Sequence, residues 1–440
     1  MYYKLIMTFS FGFVNGILYL CEYQAGFTCA LNIKMEGNAM RDVVITDCVR
    51  TAIGKMNGAL SEYDEQELAA IVMKEVLNRS KITADQVDEV IFGHVKMNTY
   101  PMNLARYGWL EAGMPDSVPG YTLQRACSSG SQSIYDASQI IACGDADIIL
   151  AGGAENMTKS CYYLRGARNG LGTKNVTLMD NILEGTAGNS PEEIFGVLPM
   201  GLTAENVADM YGIEREIQDK FALGSQQRAR KAIDEGKFKE QIVPVGDFDT
   251  DEHPRSTTYE KLAAMKPAFK KDGCVTAGNS SGRNDGASAV LVMSREKADE
   301  LGYDYYLRHV SSAVVGLEPK IMGVGPIEAS REALEKAGLK IEDIGLIELN
   351  EAFAAQSVAV MREWVKWSDT ETFDSIWERT NVNGSGISLG HPLAATGGIL
   401  TTKLFYELKD RPDVRYAMVT MCIGGGMGFA SIFEQCRKDG

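Results

Sequence analysis

The feature that most constrains the fold is a set of short apolar runs with no polar alternation, each followed by a segment with helical periodicity. VDEVIFGHV and ADIILAGG are such runs, and both read as buried strands. A strand with one face in water alternates apolar with polar residues, so an unbroken apolar run must be covered on both faces. DVVITD is a further β-branched run. DEQELAAIVMKEVL follows it with apolar residues at helical spacing, opened by an Asp64/Glu67 capping-box arrangement. SQSIYDASQIIACG reads as another helix. Strand–helix alternation with two-sided burial predicts an α/β protein around a covered, largely parallel sheet.

The series returns in the last third of the chain, with strands predicted over 343–349 and 416–421 and helices over 351–364 and 393–408. In each half a loop of small residues carries a reactive side chain to a helix start: Cys127 in RACSSGSQS and His391 in LGHPLAATG. In each half a Val/Ile-rich strand then leaves through glycines, Gly152 and Gly153 in one and Gly424 to Gly426 in the other. Two such halves facing each other would bring their strand-end loops together. The stretch between them is more polar and irregular, with helices predicted over 203–211 and 217–234, and reads as an insertion able to cover a ligand. The expected division is 41–156 with 284–305 as one half, 157–283 as the inserted loop domain, and 306–440 as the other half.

Residues 1–40 read differently. The apolar run from Leu5 to Cys21 carries Thr8, Ser10 and Asn15, is short for a membrane span, and has Leu20 before Cys21 where a processing site wants a small residue. It is expected to be an upstream extension outside the core. The formal net charge of −15, with no Lys/Arg block, argues against nucleic acid and anionic membrane as partners. Nine cysteines, an odd number without a CxxC pair or metal-ligand spacing, argue against a disulfide framework or structural zinc. A reducing, cytoplasmic setting is expected, with thiols free for chemistry.

Four constellations carry that chemistry. A thiol at Cys127, just ahead of a helix, would feel the positive end of the helix dipole, which favours the thiolate; an inert buried cysteine is the plainer reading. His391, one of four histidines, is flanked by glycine and proline, so it can be held at fixed geometry as a base or donor. His94, at a strand end, is its rival and reads better as structural. Cys422 precedes three glycines, Gly424 to Gly426 with Ile423 between, where backbone N–H groups can approach a ligand unobstructed. Asn350 and Glu351 in NEAFAAQS stand at a predicted strand-to-helix junction, where an amide can orient a water or simply cap the helix.

Together these segments resemble the thiolases. The resemblance runs over about 41–434 in matching order, through DVVITDCVRTAIGKMNGAL, the Cys127 loop, LAGGAENM, MGLTAENVA, VTAGNSSGRNDGAS, MGVGPIEASREALEKAG, LIELNEAFAAQS, SLGHP and CIGGGMG. It implies a five-layer αβαβα fold of two similar halves with an inserted loop domain. It implies that Cys127 is acylated, that His391 activates it and donates to a substrate thioester oxygen, and that Cys422 removes the α-proton of an acyl-CoA. Asn350 would hold an oxyanion-hole water beside His391, and the N–H groups of Cys127 and Gly424 would form a second hole. Phe269, Ala277, Ser281, Met322 and Phe353, with Met200, would lie along the pantetheine arm.

The implied reaction joins two acetyl-CoA into acetoacetyl-CoA, or reverses that by thiolysis, with coenzyme A and acyl-CoA as substrates and no permanently bound cofactor or metal. A homodimer or homotetramer is implied as well. Competing readings are a thiolase for longer 3-oxoacyl chains, a condensing enzyme of the ketoacyl synthase or hydroxymethylglutaryl-CoA synthase type, and a non-catalytic acyl-CoA-binding subunit. The chain departs from the family pattern at three places. Ala394 stands where glycine is common after GHP, Pro199-Met200-Gly201 where His-Met-Gly is common, and Ala52 where RTPxG has proline.

Overall fold

Burial along the strands decides how the layers stack. The computed structural model describes residues 9–14, 17–22 and 40–438. The chain divides into two compact units, Met1–Met40 and Arg41–Gly440. In the smaller unit Phe9–Val14 and Ile17–Glu22 pair as antiparallel strands. The remainder of the expected extension, including residues 5–8 and 15–16 of its apolar run, lies outside the described residues. Among the described residues no helix is long and apolar enough to cross a membrane.

The larger unit opens with β1 (Val43–Thr51), α1 (Glu65–Arg79), β2 (Glu89–Gly93), α2 (Leu104–Glu111), β3 (Gly120–Leu123), α3 (Ser129–Cys143) and β4 (Ile148–Asn156). The expected Asp64/Glu67 capping box starts α1, with the Asp64 N–H donating to Glu67 Oε2 at 2.7 Å. Helices α4 (Met200–Tyr211) and α5 (Arg215–Asp234) lie in the intervening stretch. Then follow β5 (Asn284–Ser294), β6 (Tyr305–Gly316), α6 (Gly325–Ala337), β7 (Ile344–Leu349), α7 (Ala354–Val365), α8 (Leu393–Lys409), β8 (Tyr416–Ile423) and β9 (Met427–Arg437).

Successive residues on a strand face opposite ways, and here both faces are apolar. In β4, Ile148 and Leu150 join a core with α1 and α2, while Ile149 and Ala151 join a second core with Ile134 of α3 and Leu404 of α8. In β8, Ala417 and Val419 enter that same second core from the other side, while Met418 joins a third core with α6 and α7. The layers therefore run α1/α2, sheet, α3/α8, sheet, α6/α7, which is the expected αβαβα order.

The strand order is β7-β8-β9-β6-β1-β5-β4-β2-β3. Among the described residues the two half-sheets meet where Leu307 and Arg308 of β6 pair with Ile45 and Val44 of β1. The expectation of a largely parallel sheet is corrected: β2 runs parallel to β3 and β4, and β7 to β8, but β5 is antiparallel to β1 and β4, and β9 to β6 and β8. The cause is local. Gly425 and Gly426, at φ of 93° and 84°, turn the chain straight back from β8 into β9, and β5 enters from the intervening stretch rather than from a crossover helix.

Candidate active site

The chemistry gathers where strand ends and helix starts of both halves face one cavity. Cys127 stands one residue before Ser128, the N-cap of α3. Ala126, just ahead of it, has φ of 41°, a left-handed conformation uncommon for a residue with a side chain. Ser129 braces that turn: its Oγ donates to the Ala126 carbonyl at 2.7 Å and accepts from the Arg125 N–H at 2.8 Å. Close packing fixes the helix as well, since a Cβ on Gly130 would come within 2.5 Å of the Ala394 carbonyl oxygen, and one on Gly153 within 2.2 Å of the same atom. At Ala394 it is thus the backbone that is tightly packed, and the glycines opposite provide the room.

His391 is anchored from three sides. Its backbone N–H donates to Asn284 Oδ1 at 2.9 Å, its Nδ1 lies 2.6 Å from Thr396 Oγ1, and its Nε2 lies 3.5 Å from Asn350 Nδ2. Asn350 is fully buried and its Oδ1 has no protein partner. The expected strand-to-helix junction at Asn350 and Glu351 is corrected, because β7 ends at Leu349 and α7 begins only at Ala354, with Phe353 as its N-cap. A tight turn, closed by the Ala352 N–H on the Asn350 carbonyl at 3.0 Å, and tertiary bonds hold the intervening residues out of the helix. Glu351 accepts from Ser225 Oγ and Asn381 Nδ2, the Ala352 carbonyl accepts from the Ser281 N–H, and the Ala354 N–H donates to the Asn279 carbonyl.

Cys127, His391 and Cys422 all line one cavity of about 330 Å³. Met200, Phe269, Ser281, Met322 and Phe353 line it too, so most of the expected site residues converge. Phe269 and Phe353 meet edge to face at 6.3 Å, and Gly201 gives the Phe269 ring its space. Asn350 stands behind His391 rather than on the cavity wall, and Gly424 acts on the site through its backbone N–H, which draws the Cys127 thiol down against burial. Ala277 is exposed and is not among the lining residues. His94 is also off the wall, buried with Nε2 3.7 Å from Glu65 and 3.6 Å from Glu155, as its structural reading expected.

Burial dominates the electrostatics. It pushes the Cys127 thiol up to about 11, against the opposing pull of the Gly424 N–H, the residue's own N–H and the Lys96 charge. The expectation that the helix start favours a resting thiolate is therefore overturned: desolvation of a sulfur almost shut off from solvent outweighs the dipole. Burial also raises the Cys422 thiol, and a charge on Cys127 raises it further. It pulls the His391 imidazole down to about 4, so the ring is neutral at neutral pH and free to take a proton. In this arrangement no side-chain hydrogen bond joins the Cys127 sulfur to His391.

Sequence reasoning missed several supporting groups. Thr396, five residues beyond His391 in the same motif, orients its ring. Buried Glu155 accepts the N–H groups of Val95, Lys96 and Ala394, tying the β2 exit to the α8 start. Lys96 and Asn189 line the cavity, and neither carries a local signal beyond following a strand or lying in a loop.

Fold and site together define a class: an α/β enzyme of two facing halves whose cavity presents two thiols and an imidazole. The description "Thiolase, N-terminal domain" matches residues 43–296 and "Thiolase, C-terminal domain" matches residues 305–435. The chain belongs to the thiolase family, and it is an acyltransferase. It is 48% identical over 404 residues to an acetyl-CoA acetyltransferase of Syntrophomonas wolfei, covering 90% of this chain and 99% of that one. To Beta-ketothiolase BktB of Cupriavidus necator it is 44% identical, covering 90% and 99%. The crystal structure of the Bacillus anthracis acetyl-CoA acetyltransferase superposes with a TM-score of 0.85 at 44% identity, covering 91% of this chain and 100% of that one. Human mitochondrial 3-ketoacyl-CoA thiolase superposes with a TM-score of 0.82 at 38% identity, covering 90% and 99%.

Proposed function

We propose that this chain is an acetyl-CoA C-acetyltransferase that condenses two acetyl-CoA into acetoacetyl-CoA and catalyses the reverse thiolysis. The observation that carries the reading is the convergence of buried Cys127, His391 and Cys422 on one cavity. In the first half-reaction Cys127 Sγ attacks the thioester carbonyl while neutral His391 takes the thiol proton, and coenzyme A leaves with that proton. The N–H groups of Cys127 and Gly424 hold the developing oxyanion. In the second, Cys422 removes the α-proton of another acetyl-CoA. The enolate oxygen is held by His391 and a water on Asn350, whose Oδ1 is otherwise unpartnered. The carbon then attacks the acetyl-enzyme and expels Cys127. Phe269, Met200, Ser281, Met322 and Phe353 would line the pantetheine path, with 157–283 covering it between the halves 41–156 with 284–305 and 306–440. A cytoplasmic homodimer or homotetramer without a resident cofactor completes the proposal; Ala277, exposed, would touch the arm only at its outer end.

The two cysteines are separable by experiment. Cys422→Ser should still take radiolabelled acetyl from acetyl-CoA onto Cys127 while condensation falls by about 100- to 10,000-fold, the usual contribution of a general acid/base. Cys127→Ser should lose acetyl-enzyme formation. Near wild-type condensation by Cys422→Ser, or loss of its acetyl-enzyme in a folded protein, would overturn the assignment. Thiolysis of acetoacetyl-CoA against longer 3-oxoacyl-CoAs, followed spectroscopically, decides chain length.

A further inference from the structure

The wall beside the nucleophile carries a charge that the chemistry above does not use. Lys96 is 7% exposed and lines the same cavity as Cys127. Among the described residues its Nζ donates to a single acceptor, the Asn181 carbonyl, at 3.0 Å, and no carboxylate lies within ion-pairing distance of it. The short helix Asn181–Ala187 is shaped to admit it, since a Cβ on Gly185 would stand 2.2 Å from the ammonium nitrogen. Glu155, whose charge acts on the ammonium, is occupied by backbone N–H groups, one of them that of Lys96 itself, and it is not among the lining residues of the cavity. Among the described residues, the charged ones lining the cavity are Lys96, buried, and Arg283, exposed, and no Asp or Glu lines it. In a chain of net charge −15 this is a cationic cavity. A buried ammonium with spare donors is costly unless an anion or strong acceptor completes its shell.

We propose that Lys96 is a specificity-determining residue that receives the carboxylate of an ω-carboxylated acyl group carried on Cys127, so that short dicarboxylic 3-oxoacyl-CoAs are substrates of this site. The inference rests on the thiolase reading of the cavity. With 3-oxoadipyl-CoA, Cys127 attacks C3, the C2–C3 bond breaks, and C2 takes a proton from Cys422 to leave as acetyl-CoA. The succinyl group on Cys127 then passes to the thiol of a second coenzyme A, whose proton returns to the enzyme. Substrate and coenzyme A thus give succinyl-CoA and acetyl-CoA, with no oxidant or other reactant. The succinyl carboxylate stands two methylenes from the thioester carbon, and Lys96 is the buried cation lining the cavity that holds Cys127.

The test compares thiolysis of 3-oxoadipyl-CoA with that of 3-oxohexanoyl-CoA, which places a methyl where the first has its carboxylate. Wild-type enzyme should favour the carboxylated substrate in kcat/KM by at least about tenfold, the factor that one charge-assisted hydrogen bond supplies. Lys96→Met should cut that ratio at least about tenfold, chiefly through the KM of the carboxylated substrate. If Lys96 only pins the Asn181–Ala187 helix, both substrates would suffer alike and the ratio would hold, which overturns the proposal. A wild-type enzyme that cleaves acetoacetyl-CoA but shows no preference for the carboxylate also overturns it. Failure to cleave acetoacetyl-CoA would instead sink the underlying thiolase reading.

Discussion

At the scale of single residues the site is built from neutral partners. Cys127 at about 11 and His391 at about 4 leave the thiol–imidazole pair uncharged across neutral pH, the first because a buried thiolate lacks solvation and the second because a buried imidazolium does. Activation then requires proton transfer from sulfur to ring during attack. Iodoacetamide should alkylate Cys127 before the other cysteines, and acetylation by acetyl-CoA should protect it. In wild-type enzyme the alkylation rate should be nearly flat from about pH 6 to 9, since His391 loses its base function only as pH falls toward 4. In His391→Asn the rate should be lower at neutral pH and rise about tenfold per pH unit, following the thiolate fraction of an unassisted thiol whose pKa lies above the range. Mass-spectrometric mapping of the alkylated peptide with pH checks this; a flat profile in the variant would mean that another base serves Cys127.

At the scale of elements, two features hold the loops in register. Helix α3 meets the start of α8 at Gly130, where a methyl would collide with the Ala394 carbonyl. Gly130→Ala should destabilise by about 1 to 3 kcal/mol, the usual cost of overpacking a close contact. It should also displace the His391 loop, so kcat should fall in a protein that still folds; calorimetry and kinetics together test this. Glu155 bridges β2 and α8, and burial raises its carboxyl from the ordinary range to about 7. A carboxyl that holds its proton more tightly when folded stabilises the fold fully below its unfolded pKa of about 4.5, and that contribution is lost as pH rises through 7. Glu155→Gln should therefore remove a component of the Tm–pH slope between about 4.5 and 7, worth at most about 1.4 kcal/mol per pH unit. An unchanged slope would show that Glu155 is ionised throughout, held so by its three N–H donors.

The order of elements was legible because two-sided burial leaves unbroken apolar runs, as in β4, and because helix α1 has its own cap. Cys127, His391 and Cys422 were legible because each sits among small residues that only a turn or a close approach demands. What local pattern could not carry was long-range. β5 lies antiparallel between β1 and β4 through pairings more than a hundred residues apart in sequence. Asn350 to Phe353 is held out of α7 by its own tight turn and by bonds to Ser281 and Asn279. The protonation of Cys127 depends on burial that no motif states.

At the scale of the whole molecule, the division at Met40 separates a small strand pair from a unit that holds every residue of the proposed chemistry. The first strand of the larger unit, β1, is central: Val44 and Ile45 pair with β6, Cys48 and Val49 with β5, and Arg50 and Thr51 with Ile242 and Val243. Its side chains are fixed from within the same unit. Arg50 is fully buried and makes a bidentate pair with Asp251, at 2.7 and 2.9 Å, and Nε bonds Gln241 at 2.8 Å. Upstream of β1, Arg41 is secured by its own N–H to the Ala142 carbonyl and by its guanidinium to Asp147. A chain starting at Met40 thus retains the anchor of its first strand and all groups lining the cavity. Removal of residues 1–39 should leave a folded protein with kcat/KM for acetoacetyl-CoA thiolysis within about twofold of the full chain, since nothing named in the proposed reaction is removed. A truncated protein that is folded by circular dichroism yet inactive would show that the first unit contributes to the site.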